Sequence, residues 1–124
     1  MNKIIFTEEA PAATGPYQQA IQAGNLLFLS GTLPIDPVTN VLVENNIIAQ
    51  TEQIMKNIAA VLRKADYTVD DVVKTTCFLS DIANLTEFNT VYGEFFTSNP
   101  ARSCVAVKDL PKGALVEVEV IASK

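Results

Sequence analysis

The stretch Pro100–Val107, PARSCVAV, decides how the rest of the chain is read. Asn99-Pro100 breaks the pattern before it, and the small and β-branched residues that follow read as a strand. Strand side chains alternate between faces, so Arg102 and Cys104 share one surface while Ser103 and Val105 point the other way. An arginine on a mostly apolar strand needs an anionic partner, because an isolated buried charge is costly. Spacing alone leaves two partners open: a carboxylate of the chain, Glu117 or Glu119, or a carboxylate carried by a ligand.

Just upstream, Leu85, Phe88, Val91, Tyr92, Phe95 and Phe96 form the apolar stripe of a helix over Asn84–Phe96. Before it, VDDVVKTTCFLSD reads as a strand with Val73, Thr75, Cys77 and Leu79 on one face. A longer helix is expected from Ile47 to about Ala65, where Ile47, Ile54, Ile58, Val61, Leu62 and Ala65 recur at helical spacing. Lys3–Phe6 reads as an edge strand. QAIQA and LLFLSG form a hairpin over Gly24-Asn25. TLPIDPVTN is expected to be a loop, with a turn at Asp36-Pro37 and Asn40 supplying a left-handed position. Downstream, LPKG turns the chain into ALVEVEVIA, with Val116, Val118 and Val120 on one face and Leu115, Glu117, Glu119 and Ile121 on the other.

The order β-β-β-α-β-α-β-β implies an α+β fold, a mixed β-sheet with two helices packed on one face, in a single domain spanning 1–124. Two helices cover only one face of a five- or six-stranded sheet. The opposite face then carries residues such as Leu115 and Ile121, and closed homo-oligomerisation is the expected way to cover them.

Composition narrows the chemistry. The net charge is −5 with no run of lysines and arginines, which disfavours nucleic acid and membrane surfaces as partners. The opening MNKIIFTEEAPAA is too short in apolar residues for a signal-peptide core, and no apolar run is long enough to span a bilayer. Cys77 and Cys104 form neither a disulfide framework nor a metal-site spacing, so a reducing, cytoplasmic setting is expected. The absence of histidine excludes histidine triads, imidazole acid–base chemistry and His-ligated metals. Nothing in the sequence calls for a cofactor.

Each candidate residue has a plain alternative. Cys104 is more often a small buried hydrophobe than a nucleophile, and no histidine is present to deprotonate it. Glu117 and Glu119 read as a solvated strand face unless a site claims them. Tyr17 is a loop anchor or a pocket wall; Ser30-Gly31 is turn chemistry or a close backbone approach to a ligand. Asn89 would ordinarily be surface.

At these same residues the chain resembles the reactive intermediate deaminase (Rid, or YjgF-like) family. The resemblance lies in GPYQQA, LLFLSGTLPIDP, VVKTTCFLSDIANLTEFNTVYGEFF, PARSCVAV and LPKGALVEVEVIA, in register over essentially the whole chain. RSC followed by the LPK…E-x-E pattern is similar to the imine-deaminase branch. The resemblance implies a chorismate-mutase-like fold, a homotrimer and active sites in the clefts between subunits. It implies hydrolysis of 2-imino acids, 2-iminobutanoate and 2-iminopropanoate, to 2-keto acids and ammonia, without metal or cofactor. Arg102 would hold the substrate carboxylate and Glu117 would position the attacking water. Cys104, Tyr17, Ser30, Gly31 and Asn89 would line the pocket. The rival reading is a small-carboxylate-binding or regulatory protein that uses the same cleft without turnover. The chain departs from the family pattern in a short TSN segment before Pro100, in Asp66 where a glycine often ends the first helix, and in Asn40 where a turn glycine is usual.

Overall fold

The computed structural model describes residues 1–124. In chain order the elements are β1 (Lys3–Ile5), β2 (Ala20–Ala23), β3 (Leu26–Thr32), β4 (Ile35–Asp36), β5 (Val41–Leu42), α1 (Ile47–Lys64), β6 (Val72–Leu79), α2 (Leu85–Phe95), β7 (Ala101–Ala106) and β8 (Val116–Ser123). Six strands form one mixed sheet in the order β1-β2-β3-β8-β6-β7. Every neighbouring pair is antiparallel except β6 and β7, which run parallel through the α2 crossover. The last two strands therefore do not pair with each other; both flank β6.

The helices begin and end where local chemistry directs. Asn46 caps α1, its side chain accepting from the Ala49 amide at 3.0 Å. Arg63 and Lys64 occupy the last turn, where cations favour the helix dipole. Asp66 then takes a left-handed conformation, φ 64°. Asn40 is left-handed too, φ 62°, as its turn requires, and Gly24 turns the β2–β3 hairpin with φ 60°. The segment read as a loop, TLPIDPVTN, instead contains half of a small separate hairpin, β4 with β5. Two-residue strands leave too little alternation to be seen in sequence.

Val116, Val118, Val120 and Ala122 of β8 are buried against α1 and α2, together with Leu27, Leu29, Ile54, Ile58, Leu62, Phe88 and Phe96. Polar residues brace this core from inside it. Asn57 of α1 donates to the carbonyls of Leu33 and Ile35, at 3.1 and 2.9 Å. Gln50 accepts from the Leu115 amide at 2.9 Å. Leu115 packs against the core rather than on the open face expected for it.

Two irregularities reset the strand faces. On β6, Val72 pairs with Ala122 but Lys74 with Ile121, so Val73 is the extra residue of a bulge. Val72 is consequently buried and Val73 exposed, the reverse of the expected alternation. On β3, Leu29 faces Val120 and Thr32 faces Val118, so Ser30 and Gly31 together oppose Glu119.

The sheet face away from the helices carries a cross-strand row of paired residues, Ile4, Ile21, Phe28 and Ile121. Phe28 is 40% exposed and Ile4 59%. A second row holds Val105, Phe78 and Glu117. No helix is long and apolar enough to cross a membrane.

Candidate active site

Arg102 lies on β7, an edge strand, directly opposite Thr75 of β6. Thr75, Cys77 and Leu79 are buried beneath the helices. Residues paired across strands share a face, so Arg102 and Cys104 stand on the helix side of the sheet. The guanidinium leaves the edge of the sheet and lies over α2. One Nη1–H donates to Oδ1 of Asn89 at 2.8 Å, and Cζ sits 4.8 Å from the centre of the Tyr92 ring. Phe88 is a second ring, 6.0 Å away. No carboxylate pairs with Arg102; the one ion pair of the chain joins exposed Arg63 and Glu9.

Cys104 is half-buried beside fully buried Cys77, its partner in the strand pairing. Burial raises the Cys104 thiol above its ordinary range, and the nearby Arg102 charge opposes that only in part. Burial pushes Cys77 up to about 12. Neither thiol is set up as a nucleophile.

Glu117 stands on the other face, opposite Phe78. Its carboxyl is half-buried and titrates above the usual glutamate range, first because burial disfavours its charge and second because Glu119 is near. It rests against the β3 bulge. A Cβ added to Gly31 would lie 2.8 Å from Oε2 of Glu117. Gly31 does not have positive φ, so the glycine here makes room for the carboxylate rather than for an unusual backbone.

Ser30, Gly31 and Tyr17 also line a cavity of about 80 Å³, with Thr14, Asn40 and Lys112 on its walls. Ser30 is held in place, its Oγ donating to the Gln18 carbonyl at 2.6 Å and its amide to the Gln19 carbonyl at 3.0 Å. The Tyr17 hydroxyl accepts from the Thr14 amide at 3.3 Å. The loop carrying Tyr17 is organised by buried Gln19, whose amide group donates to the carbonyls of Thr7, Ala10 and Pro11 and accepts from the Thr7 amide.

The seven candidates thus form two groups on one chain. Arg102 and Cys104 of β7 and Asn89 of α2 gather on the helix side of the sheet, at its β7 edge. Glu117 and Gly31 meet on the open face, while Ser30 and Tyr17 line, with Gly31, a cavity that also reaches Asn57 and Val61 of α1. An internal Arg102–Glu117 ion pair is absent because the two side chains leave opposite faces of the sheet. Sequence reading did not single out Gln19, Thr75 or Tyr92. Tyr92 fits the apolar stripe of α2, and a lone buried glutamine has no periodic signal. No three His, Cys, Asp or Glu side chains converge where they would hold a metal ion.

The fold and these two groups define a mixed α+β sheet domain with a shelved arginine at one edge and a half-buried carboxylate on the open face. The chain belongs to the YjgF/Rid/RutC family, whose family model, described as Endoribonuclease L-PSP, matches residues 7–124. A RutC family protein of Pyrococcus horikoshii is 49% identical over 125 residues, covering 100% of this chain and 99% of the relative. Among solved structures, a Rid-family protein of Yersinia pestis is 50% identical with a TM-score of 0.97, each chain fully covered. TdcF of Escherichia coli, solved with bound serine, is 36% identical with a TM-score of 0.94, and 98% of each chain is covered. The resemblance read from the motifs is therefore family membership, and the mixed sheet with two helices matches solved members of that family.

Proposed function

We propose that the chain hydrolyses 2-imino acids, such as 2-iminobutanoate and 2-iminopropanoate, to 2-keto acids and ammonia. The observation that carries this reading is Arg102. Its guanidinium has five N–H donors, Asn89 takes one, and no anion of the chain takes the others. A small carboxylate is the complementary ligand, because Arg recognises carboxylates in a bidentate fork. The serine bound by the Escherichia coli relative is a molecule of that class.

A site that uses both Arg102 and Glu117 needs two chains, since one chain presents them on opposite faces. The apolar row of Ile4, Ile21, Phe28 and Ile121 gives the open face a reason to be covered by another copy. The β7 edge of one protomer then abuts the Glu117 face of the next, in the homotrimer that the family resemblance implies. Cys104 and Asn89 accompany Arg102 in one wall; Tyr17, Ser30 and Gly31 accompany Glu117 in the other.

The reaction asks little of such a site. Arg102 fixes the carboxylate and thereby the imine carbon, giving catalysis by proximity. Water adds to the protonated C=N bond as Glu117 accepts its proton, leaving a carbon that bears both OH and NH2. Glu117 returns the proton to nitrogen; the C–N bond then breaks as the hydroxyl gives its proton to Glu117, the carbonyl forms, and the departing ammonia takes that proton up as ammonium. The raised pKa of Glu117 brings it closer to neutral and makes it a better base than an unperturbed glutamate. The description Endoribonuclease L-PSP names another activity, but a net charge of −5 and the absence of histidine fit a phosphodiester backbone poorly.

The test couples a threonine dehydratase to measurement of free imine lifetime. Arg102→Ala and Glu117→Ala should each lose most of the acceleration. Mixing the two inactive variants, dissociated and reassembled, should restore activity at roughly a quarter of the interfaces, those pairing an intact Arg102 with an intact Glu117. Arg102→Ala acting as fast as the parent sinks the proposal. A parent chain that binds 2-oxobutanoate but leaves the imine lifetime unchanged favours ligand binding without turnover.

A further inference from the structure

Tyr92 does more than fill the stripe of α2. The residue is only 7% exposed, and its ring is flanked by Phe96, 4.7 Å away centre to centre, and Phe88, at 5.5 Å. Its hydroxyl meets Oγ1 of Thr75 at 2.6 Å. Thr75 is fully buried and is the residue paired with Arg102 across the strands. The contacts close a loop: Arg102 lies beside Thr75 in the sheet, Thr75 bonds Tyr92, and the Tyr92 ring lies under the Arg102 guanidinium. Packing does not explain that hydroxyl pair, since valine and phenylalanine would fill the same space. Burying two hydroxyls is tolerated because each satisfies the other.

We propose that Tyr92, locked by Thr75, is a positioning residue that holds the Arg102 guanidinium on its aromatic face so that a carboxylate is taken edge-on. This rests on the reading of Arg102 as the carboxylate clamp. Arg102 is an exposed, flexible side chain on an edge strand; without a shelf it would sample many rotamers and lose that freedom on binding. Stacking occupies a face of the guanidinium and leaves its in-plane donors available. Asn89 then engages Nη1. The Nε–Nη2 edge, a bidentate fork, has no partner in the chain.

The experiment measures the affinity of 2-oxobutanoate by calorimetry, with KM and kcat for imine hydrolysis, in four variants. Tyr92→Leu should weaken binding about tenfold. The loss should fall on KM rather than kcat, because the clamp holds ground and transition states alike. Tyr92→Phe should recover most of that loss, and Thr75→Val, which leaves the ring unlocked, should cost about threefold. A purely structural role would lower the melting temperature without this split. Tyr92→Leu binding within twofold of the parent overturns the proposal. If that variant does not fold, Thr75→Val decides, and unchanged affinity there overturns it equally. Arg102→Ala distinguishes the two levels. If it binds as the parent does, the clamp reading fails and this inference with it. If it loses binding while the Tyr92 and Thr75 variants do not, only the positioning role fails.

Discussion

Replacing Gly31 with alanine is expected to lower turnover about a hundredfold while leaving the chain folded. The new methyl would lie 2.8 Å from Oε2 of Glu117, 2.9 Å from its Cδ and 3.3 Å from its Cγ. Comfortable contacts between such atoms are ~3.5–4.0 Å, so the carboxylate must retreat by roughly 0.5–1 Å. What yields is the end of a flexible side chain, not backbone. Alanine meets no left-handed strain here, because positive φ among the glycines is confined to Gly24 and Gly113. The stiffer unfolded chain even returns ~0.4–1 kcal/mol of stability. A catalytic group displaced by ~1 Å costs about a hundredfold in rate, or ~2.7 kcal/mol of barrier.

The assay is kcat for 2-iminobutanoate hydrolysis alongside the melting temperature. A second background sharpens it. Glu117→Asp shortens the side chain and withdraws the carboxylate from the intruding methyl, so Gly31→Ala should cost far less there than in the parent. The two substitutions should therefore be strongly non-additive. A Gly31→Ala chain with parental melting and kcat within twofold refutes the reasoning. So do strictly additive losses, which would mean that Gly31 and Glu117 do not act on each other.

Because burial and then Glu119 raise the Glu117 pKa, the acid limb of kcat/KM should lie above the ordinary glutamate range and move down in Glu119→Gln. The folded state holds that proton more tightly than the unfolded chain, so ionised Glu117 opposes folding at neutral pH and ceases to do so on acidification. Glu117→Gln should then melt higher than the parent at pH 7 while losing turnover, and melting curves against pH should show the advantage vanish in acid. Asp66→Gly should stabilise the chain by ~0.5–1 kcal/mol, or about 3 °C by calorimetry, since φ 64° strains a side chain there. The Lys124 amine donates to the Asp66 backbone carbonyl, and glycine keeps that contact. In native alkylation followed by mass spectrometry, Cys77, pushed up to about 12, should stay unlabelled. Cys104 should react slowly at pH 7 and faster as pH rises, because burial lifts its thiol; rapid labelling at pH 7 would contradict that environment.

Much of this was legible in the residues, and the failures have physical causes. The two helices carry long 3.6-residue apolar patterns, and they appear over Ile47–Lys64 and Leu85–Phe95, within a residue of their expected ends. β8 alternates without interruption, so alternation gives the faces of Val116 to Ile121, while Leu115, just before the strand, packs against the core instead of on the open face expected for it. Alternation misplaces Val72 and Val73, because one bulge residue inverts everything before it and leaves no mark in composition. The sharing of a face by Arg102 and Cys104 followed from alternation. Which face that is did not, because the parallel pairing of β7 with β6 is a tertiary choice. Gln19, Thr75 and Tyr92 act through partners distant in sequence, which no local pattern encodes.

That tertiary choice is what keeps Arg102 and Glu117 apart, and the core enforces it. Val116 and Val118, the neighbours of Glu117, are fully buried and Val120 nearly so. Bringing Glu117 to the helix side would require β8 to slip by one residue, which moves every side chain of the strand to the other face. Those three valines would then lose their burial at ~1.5–3 kcal/mol each. Glu117 and Glu119 would be buried in their place without a cation. A loss of that size rivals the whole stability of a small domain, ~5–15 kcal/mol. In a single chain the buried valines of β8 thus hold Glu117 on the sheet face opposite Arg102. If both act on one substrate, association of copies is a condition of catalysis, and activity should disappear on dilution below the dissociation constant of the assembly even where each chain stays folded.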